Sequence, residues 1–140
     1  MLEHTTQVRV RYSETDKMGY LYYGHYPKYY EIGRVELLRD LKLRYRDLED
    51  IHQIMMPVMS LNMRYVRPAH YDDLLTVKTV IRHLPSSTIT FHIEVFNEEQ
   101  KLVNGGMVKL CFVDKKTNKS IPAPRILLEK IESYFDKIVE

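Results

Sequence analysis

Cys111 is the one cysteine in the 140-residue chain, so no intrachain disulfide can form. A reducing compartment is the expectation, and the cytoplasm is the simplest one. Long apolar runs are missing too. Nothing approaches the roughly 18 residues that a membrane-spanning helix needs. The opening residues, MLEHTTQVRVRY, hold no apolar core of signal-peptide length. Neither sign of charge is in excess: 21 Lys and Arg stand against 19 Asp and Glu, a net +2. So small a balance provides no electrostatic pull toward nucleic acid. Only five glycines occur. They make no Gly-Lys-Ser/Thr phosphate loop, no dinucleotide fingerprint and no Gly-x-Ser-x-Gly elbow. Internal repeats, low-complexity tracts and linker-like stretches are also absent, so residues 1–140 are expected to form a single domain.

What is present is globular in kind, with 44% hydrophobic and 29% charged residues. Thr6 to Ser13 alternates, with Val8, Val10 and Tyr12 on one face, and predicts a half-buried strand. From about His25 to Leu43 the period becomes helical. Tyr26, Tyr29, Tyr30, Gly33, Leu37 and Leu41 form one stripe, and Pro27 falls in the first turn, where a missing N–H costs nothing. Gly33 in mid-helix is unfavourable by roughly 1 kcal/mol relative to Ala, which a close approach of helix to sheet would explain. After a polar stretch, Arg44 to Gln53, four alternating runs predict strands at Met56–Val66, Leu74–His83, Thr88–Phe96 and Leu102–Asp114. Gly105-Gly106 suggests a bulge or bend in the last of them. Their short connections imply antiparallel pairing. Beyond Pro122 and Pro124, Arg125 to Val139 predicts a closing helix packed through Leu128, Ile131, Phe135 and Ile138. This order makes an α+β domain: a five-stranded antiparallel sheet around a long helix. Its open edge predicts self-association.

The densest functional chemistry lies in Ser13–Tyr26, SETDKMGYLYYGHY. Asp16 follows a strand and precedes a helix. It reads either as a turn aspartate bonding its own backbone or as a general base or nucleophile. Glu14 reads as a solvated glutamate, or as a partner that shares a face with Asp16. At Tyr23-Gly24-His25-Tyr26 a helix begins, and its first N–H groups lack internal partners. They could polarise a substrate carbonyl, with Gly24 allowing close approach. His25 offers a base, a donor or a metal ligand, but no ligand spacing with Asp16 and Glu14 supports a metal. Glu31 reads as exposed, His92 as a surface or interface residue, His70 as structural in its turn, and Cys111 as packing.

These residues resemble a known family. Tyr12-Ser-Glu-Thr-Asp16-Lys-Met-Gly19, then Tyr23-Gly-His-Tyr26 and Tyr30-Glu31, resemble the signature of hotdog-fold acyl-CoA thioesterases. The subgroup is the 4-hydroxybenzoyl-CoA thioesterase-like one, which includes the Tol-Pal-associated acyl-CoA thioesterases. Tyr65-Val-Arg-Pro68-Ala-His-Tyr71-Asp-Asp73 resembles a second block of that subgroup, and the likeness covers nearly the whole chain. It implies an acyl-CoA substrate and a catalytic role for Asp16 as nucleophile or general base. It further implies a thioester oxygen held by the Tyr23 N–H, an acyl pocket shaped by Tyr26, no metal or other cofactor, and dimers or tetramers with sites between protomers. Gly24 and His25 then fall among the substrate-binding residues. Pro85-Ser86-Ser87 stands where the hydroxybenzoyl branch has arginines on the CoA phosphates, leaving Ser86, Ser87, Thr88 and Arg82 as candidates for that contact. The rival readings are a non-catalytic acyl-CoA or acyl-carrier binding module, and a hydratase using His25 with Glu31.

Overall fold

The structure is a computed structural model and describes residues 1–135. The chain runs β1 (Leu2–Arg9), 3₁₀ turns at Tyr12–Glu14 and Tyr23–His25, α1 (Tyr26–Asp40), α2 (Tyr45–Asp50), β2 (Ile54–Met55) and β3 (Val58–Tyr65). It continues through β4 (Leu74–Ile81), β5 (Thr88–Phe96), β6 (Leu102–Asp114), β7 (Lys119–Ile121) and α3 (Arg125–Ile131). Five long strands pair antiparallel in the order β1-β4-β5-β6-β3. The far end of β6 also carries β2 and β7. Those two strands, two and three residues long, are too short for an alternation to show in the sequence.

The long helix α1 lies across β1, β4 and β5. The expected stripe is the face it buries: Tyr26, Tyr29, Tyr30, Gly33 and Leu37, joined by Leu38. Gly33 sits where a Cβ would meet Thr79 Oγ1 at 2.5 Å and Val77 Cγ1 at 2.8 Å. The mid-helix glycine is therefore the price of seating α1 directly on β4. Lys42, at φ 64°, leaves the helical path just past the C-terminus. The result is the curled sheet with a long central helix and a C-terminal helix that the hotdog expectation describes.

Several local expectations are corrected. The first strand ends at Arg9, and Tyr12 points out, 78% exposed, rather than in. Val10 bonds the Asp72–Asp73 backbone, and the chain then turns into a 3₁₀ segment instead of continuing a ladder. The polar stretch Arg44–Gln53 contains α2, held by the buried Leu48 and by Arg44 on Asp47. No register shift occurs at Gly105-Gly106. The pairing with β5 is continuous there and breaks at Val95/Phe96 instead. A side chain at Gly106 would run into the β3 backbone at Asn62 and Met63, so close strand approach explains that glycine. The closing helix stops at Ile131 and continues only as a 3₁₀ turn, Glu132–Tyr134. Leu127 and Ile131 are its buried residues, with Leu128 and Phe135 packed beside them. Ile138 lies outside the described residues.

Candidate active site

The chain from Ser13 to Tyr22 is a tight hairpin-like loop. The Asp16 N–H donates to Tyr20 O at 2.9 Å, and the Tyr22 N–H to Glu14 O at 2.9 Å. The Asp16 side chain closes the tip. Its Oδ1 accepts the N–H groups of Met18 (2.9 Å) and Tyr20 (3.1 Å). Gly19, at φ 81°, makes the turn. The turn reading of Asp16 is thus realised, but by one oxygen. Oδ2 carries no hydrogen bond from the protein among the described residues.

The second sequence block packs beside this loop. The Leu21 N–H donates to Ala69 O at 2.8 Å. The Tyr65 hydroxyl donates to Tyr23 O at 3.1 Å. Between them lies a pocket of about 320 Å³ whose walls include Asp16, Tyr20, Tyr23, Tyr26, Tyr65 and Arg67. Its aromatic rings meet edge to face: Tyr26 and Tyr65 at 5.4 Å, Tyr23 and Tyr65 at 6.2 Å. Tyr26 is buried, and loss of solvent, reinforced by Tyr65 and Asp73, pushes its hydroxyl up to about 12. It remains a neutral phenol at any physiological pH.

The helix start is as expected in kind, with one more turn than expected. Tyr23–His25 forms a 3₁₀ turn that runs into α1. The N–H groups of Tyr23 and Gly24 donate to no protein acceptor among the described residues, whereas the His25 N–H reaches Tyr22 O at 3.0 Å. Asp16, Tyr23 and Tyr26 therefore share one pocket. Gly24 and His25 are not in its walls. Gly24 lies under the Tyr22 ring, where a Cβ would approach Cε2 at 2.7 Å. The His25 ring packs edge-on against Tyr22 at 5.7 Å.

Glu14 is a second correction. It is not solvated but 5% exposed. Its Oε1 accepts the Arg11 N–H (2.7 Å) and the Tyr29 hydroxyl (2.9 Å), and Oε2 pairs with Lys28. Burial by itself pushes the carboxyl up, but Lys28, the Arg11 N–H and the Tyr29 hydroxyl together outweigh it, and the net direction is down. Glu31 is exposed, as expected. The turn at His70 is closed by Asp73, whose Oδ2 accepts the His70 backbone N–H at 2.8 Å.

None of Ser86, Ser87 and Thr88 reaches the Asp16 pocket. Ser86 and Thr88 line a separate hollow of about 230 Å³ with Arg82, His83, His92 and Lys109, and no acidic side chain lines it. Burial, Arg82 and His83 lower the His92 pKa. Ser87 faces a neighbouring hollow beside Met59 and Cys111. Tyr65, Arg67 and the His83–His92–Lys109 cluster were not picked out as site residues from the sequence. The inward parity of Tyr65 in its alternating run was the available signal. The cluster unites three different elements and left no local pattern.

Comparisons with known proteins bear on the family and the fold. Residues 18–104 match the thioesterase superfamily. A putative acyl-CoA thioesterase of Bacillus subtilis, YneP, is 32% identical over 116 residues, covering 82% of this chain and 83% of that one. The acyl-CoA thioester hydrolase YbgC of Escherichia coli O157:H7 is 30% identical over 128 residues, 91% of this chain and 92% of its own. Among solved structures, a DHNA-CoA thioesterase from Staphylococcus aureus superposes with a TM-score of 0.88 at 31% identity, covering 100% of this chain and 99% of that one. The chain belongs to the thioesterase superfamily and is a hotdog-fold member of it. The resemblance drawn from the two sequence blocks is borne out.

Proposed function

We propose that the protein hydrolyses an acyl-CoA thioester to the free acid and CoA, with Asp16 and the Tyr23 backbone N–H as the reacting pair. The observation that carries this reading is the shared pocket: its walls hold both a carboxylate with one uncommitted oxygen and Tyr23, at a helix start, whose N–H has no protein acceptor among the described residues. The Tyr23 N–H holds the thioester oxygen and the negative charge that develops on it. Asp16 then either attacks the carbonyl carbon, giving a mixed anhydride that water opens, or takes a proton from the attacking water. CoA leaves as a thiolate, so no strong acid is needed. Tyr26 and Tyr65 form the acyl wall. Gly24 and His25, one and two residues beyond Tyr23, support the helix start rather than the acyl group.

The phosphates of CoA are assigned to the basic hollow at Ser86 and Thr88, where Arg82, His83 and Lys109 offer cations without an acidic competitor. Residues 1–140 are read as one domain working in the cytoplasm, which a lone cysteine fits. No helix among the described residues is long and apolar enough to cross a membrane. A homo-oligomer, dimer or tetramer, is supported by β3. Among the described residues this edge strand pairs only with β6 and leaves Val58, Met59 and Leu61 uncovered.

Asp16→Asn is the test. Asparagine keeps the Oδ1 that closes the turn and loses the carboxylate. We expect an unchanged melting temperature and at least a hundredfold loss of thiol release from acyl-CoA, the scale seen when a nucleophile or base is removed. Full activity would refute the assignment. A second reading, a non-catalytic acyl-CoA binding module, is favoured by the turn bonds of Asp16 alone. Calorimetric binding of acyl-CoA with no thiol release from the unmutated protein would establish it.

A further inference from the structure

Glu14 is used by none of the steps above, yet it is the most heavily engaged carboxylate among the described residues. It sits where three pieces of chain meet. Toward the end of the first strand, its N–H donates to Arg11 O (3.0 Å) and its Oε1 accepts the Arg11 N–H (2.7 Å). Toward α1, it takes the hydroxyl of the fully buried Tyr29 at 2.9 Å and the ammonium of Lys28. Toward the returning arm of the loop, its carbonyl accepts the Tyr22 N–H at 2.9 Å. Asp16 is two residues along one arm. Tyr23 is one residue beyond Tyr22 on the other.

A buried carboxylate paired with a half-exposed lysine is a poor way to gain stability, because a well-packed apolar residue of the same volume does as well or better. A carboxylate with partners on three sides does something an apolar residue cannot: it fixes direction and distance. We propose that Glu14 is a positioning residue, which locks the arm bearing Asp16 to the helix start bearing the Tyr23 N–H. The geometry of the reacting pair is then set from outside the pocket, through Tyr29 and Lys28 on α1. This inference rests on the assignment of Asp16 and Tyr23 given under the proposed function.

The experiment compares the unmutated protein, Asp16→Asn, Glu14→Gln, Tyr29→Phe and the Glu14→Gln/Tyr29→Phe double variant. Thiol release supplies kcat and KM, and melting temperature is recorded for each. Loosening a reacting pair by a fraction of an ångström to an ångström costs on the order of tenfold to a hundredfold in rate. We therefore expect kcat to fall about tenfold or more in each single variant with KM within about twofold. The double variant should be no slower than the slower single, because the two side chains act as one unit. Full kcat in a folded Tyr29→Phe overturns the inference, and so does a double variant in which the two losses multiply. Should Glu14→Gln fail to fold, Tyr29→Phe, which removes a single buried oxygen, decides alone. Asp16→Asn separates the two levels. If it stays active, or the unmutated protein releases no thiol, the underlying assignment fails. If it is inactive while Tyr29→Phe keeps full kcat, only the role of Glu14 falls.

Discussion

Two strands flank β6, and in sequence they look alike. β5 alternates through Ile89, Phe91, Ile93 and Val95, and β3 through Met59, Leu61, Met63 and Tyr65. In β5 all four side chains are buried. In β3, Met59 is 56%, Leu61 41% and Tyr65 49% exposed. The difference is what lies above them. α1 lies across β1, β4 and β5 and meets β3 at its Tyr65 end, where the Tyr26 ring packs edge to face. A period of two reports that a strand has two unlike faces; it does not report what covers the apolar one. Here the uncovered half also borders the proposed site, since Tyr65 carries the open face of β3 into the pocket of Asp16 and Tyr23.

Substitutions can break or sharpen this contrast. The largest effect is expected in the covered half. Phe91→Ala should cost about 3–5 kcal/mol of unfolding free energy, the usual range for a fully buried phenylalanine; a loss as small as that of an exposed residue would dissolve the distinction. Gly33→Ala comes next. Helix propensity alone predicts a gain of about 1 kcal/mol. Contact with Thr79 and Val77 predicts a net loss of about 1–3 kcal/mol by overpacking. A higher melting temperature would show that α1 is not seated where we describe it.

The boundary between the halves is sensitive to pH through Glu14. Its carboxyl in the folded protein is held below the unfolded value. The stability it adds is therefore fully present above the ordinary carboxylate value of about 4.3, and is lost as pH falls through the lower folded value. Melting temperature should drop as the medium is acidified below that point, and the drop should be shallower in Glu14→Gln. The smallest effect on folding belongs to the open half. Leu61→Ala should change the stability of the separated chain by less than about 1 kcal/mol. If copies meet across β3, the same substitution shifts sedimentation toward the smaller species. A core-sized loss without any such shift would mean that Leu61 is buried within its own chain.

Much of this was legible in the sequence, and the reason differs by element. The stripe of α1, the four long alternating runs and the glycine that lets helix meet sheet were all readable, because each is a local period or a local exception to one. Asp16 and the helix start at Tyr23 were readable as a pair, because one short loop joins them. α2 hid in a polar stretch because a single buried leucine carries its packing. The environment of Glu14 was not readable, because its partners Lys28 and Tyr29 lie more than a dozen residues away, on an element whose rotation only packing sets. The basic hollow was readable only in part, at Arg82, Ser86 and Thr88; His83, His92 and Lys109 were missed, because Arg82 and His83 follow one strand while His92 belongs to a second and Lys109 to a third.

By itself, then, the sequence determined the order and kind of the long elements, the apolar face of each and the loop that carries the proposed reacting pair. These depend on backbone periodicity and turn chemistry within a few residues. The tertiary structure alone decided which apolar face is covered, which of two neighbouring carboxylates is buried and which is left open, and which distant cations share a hollow. Those outcomes depend on how α1 sits on the sheet, and on contacts between residues that no local pattern relates.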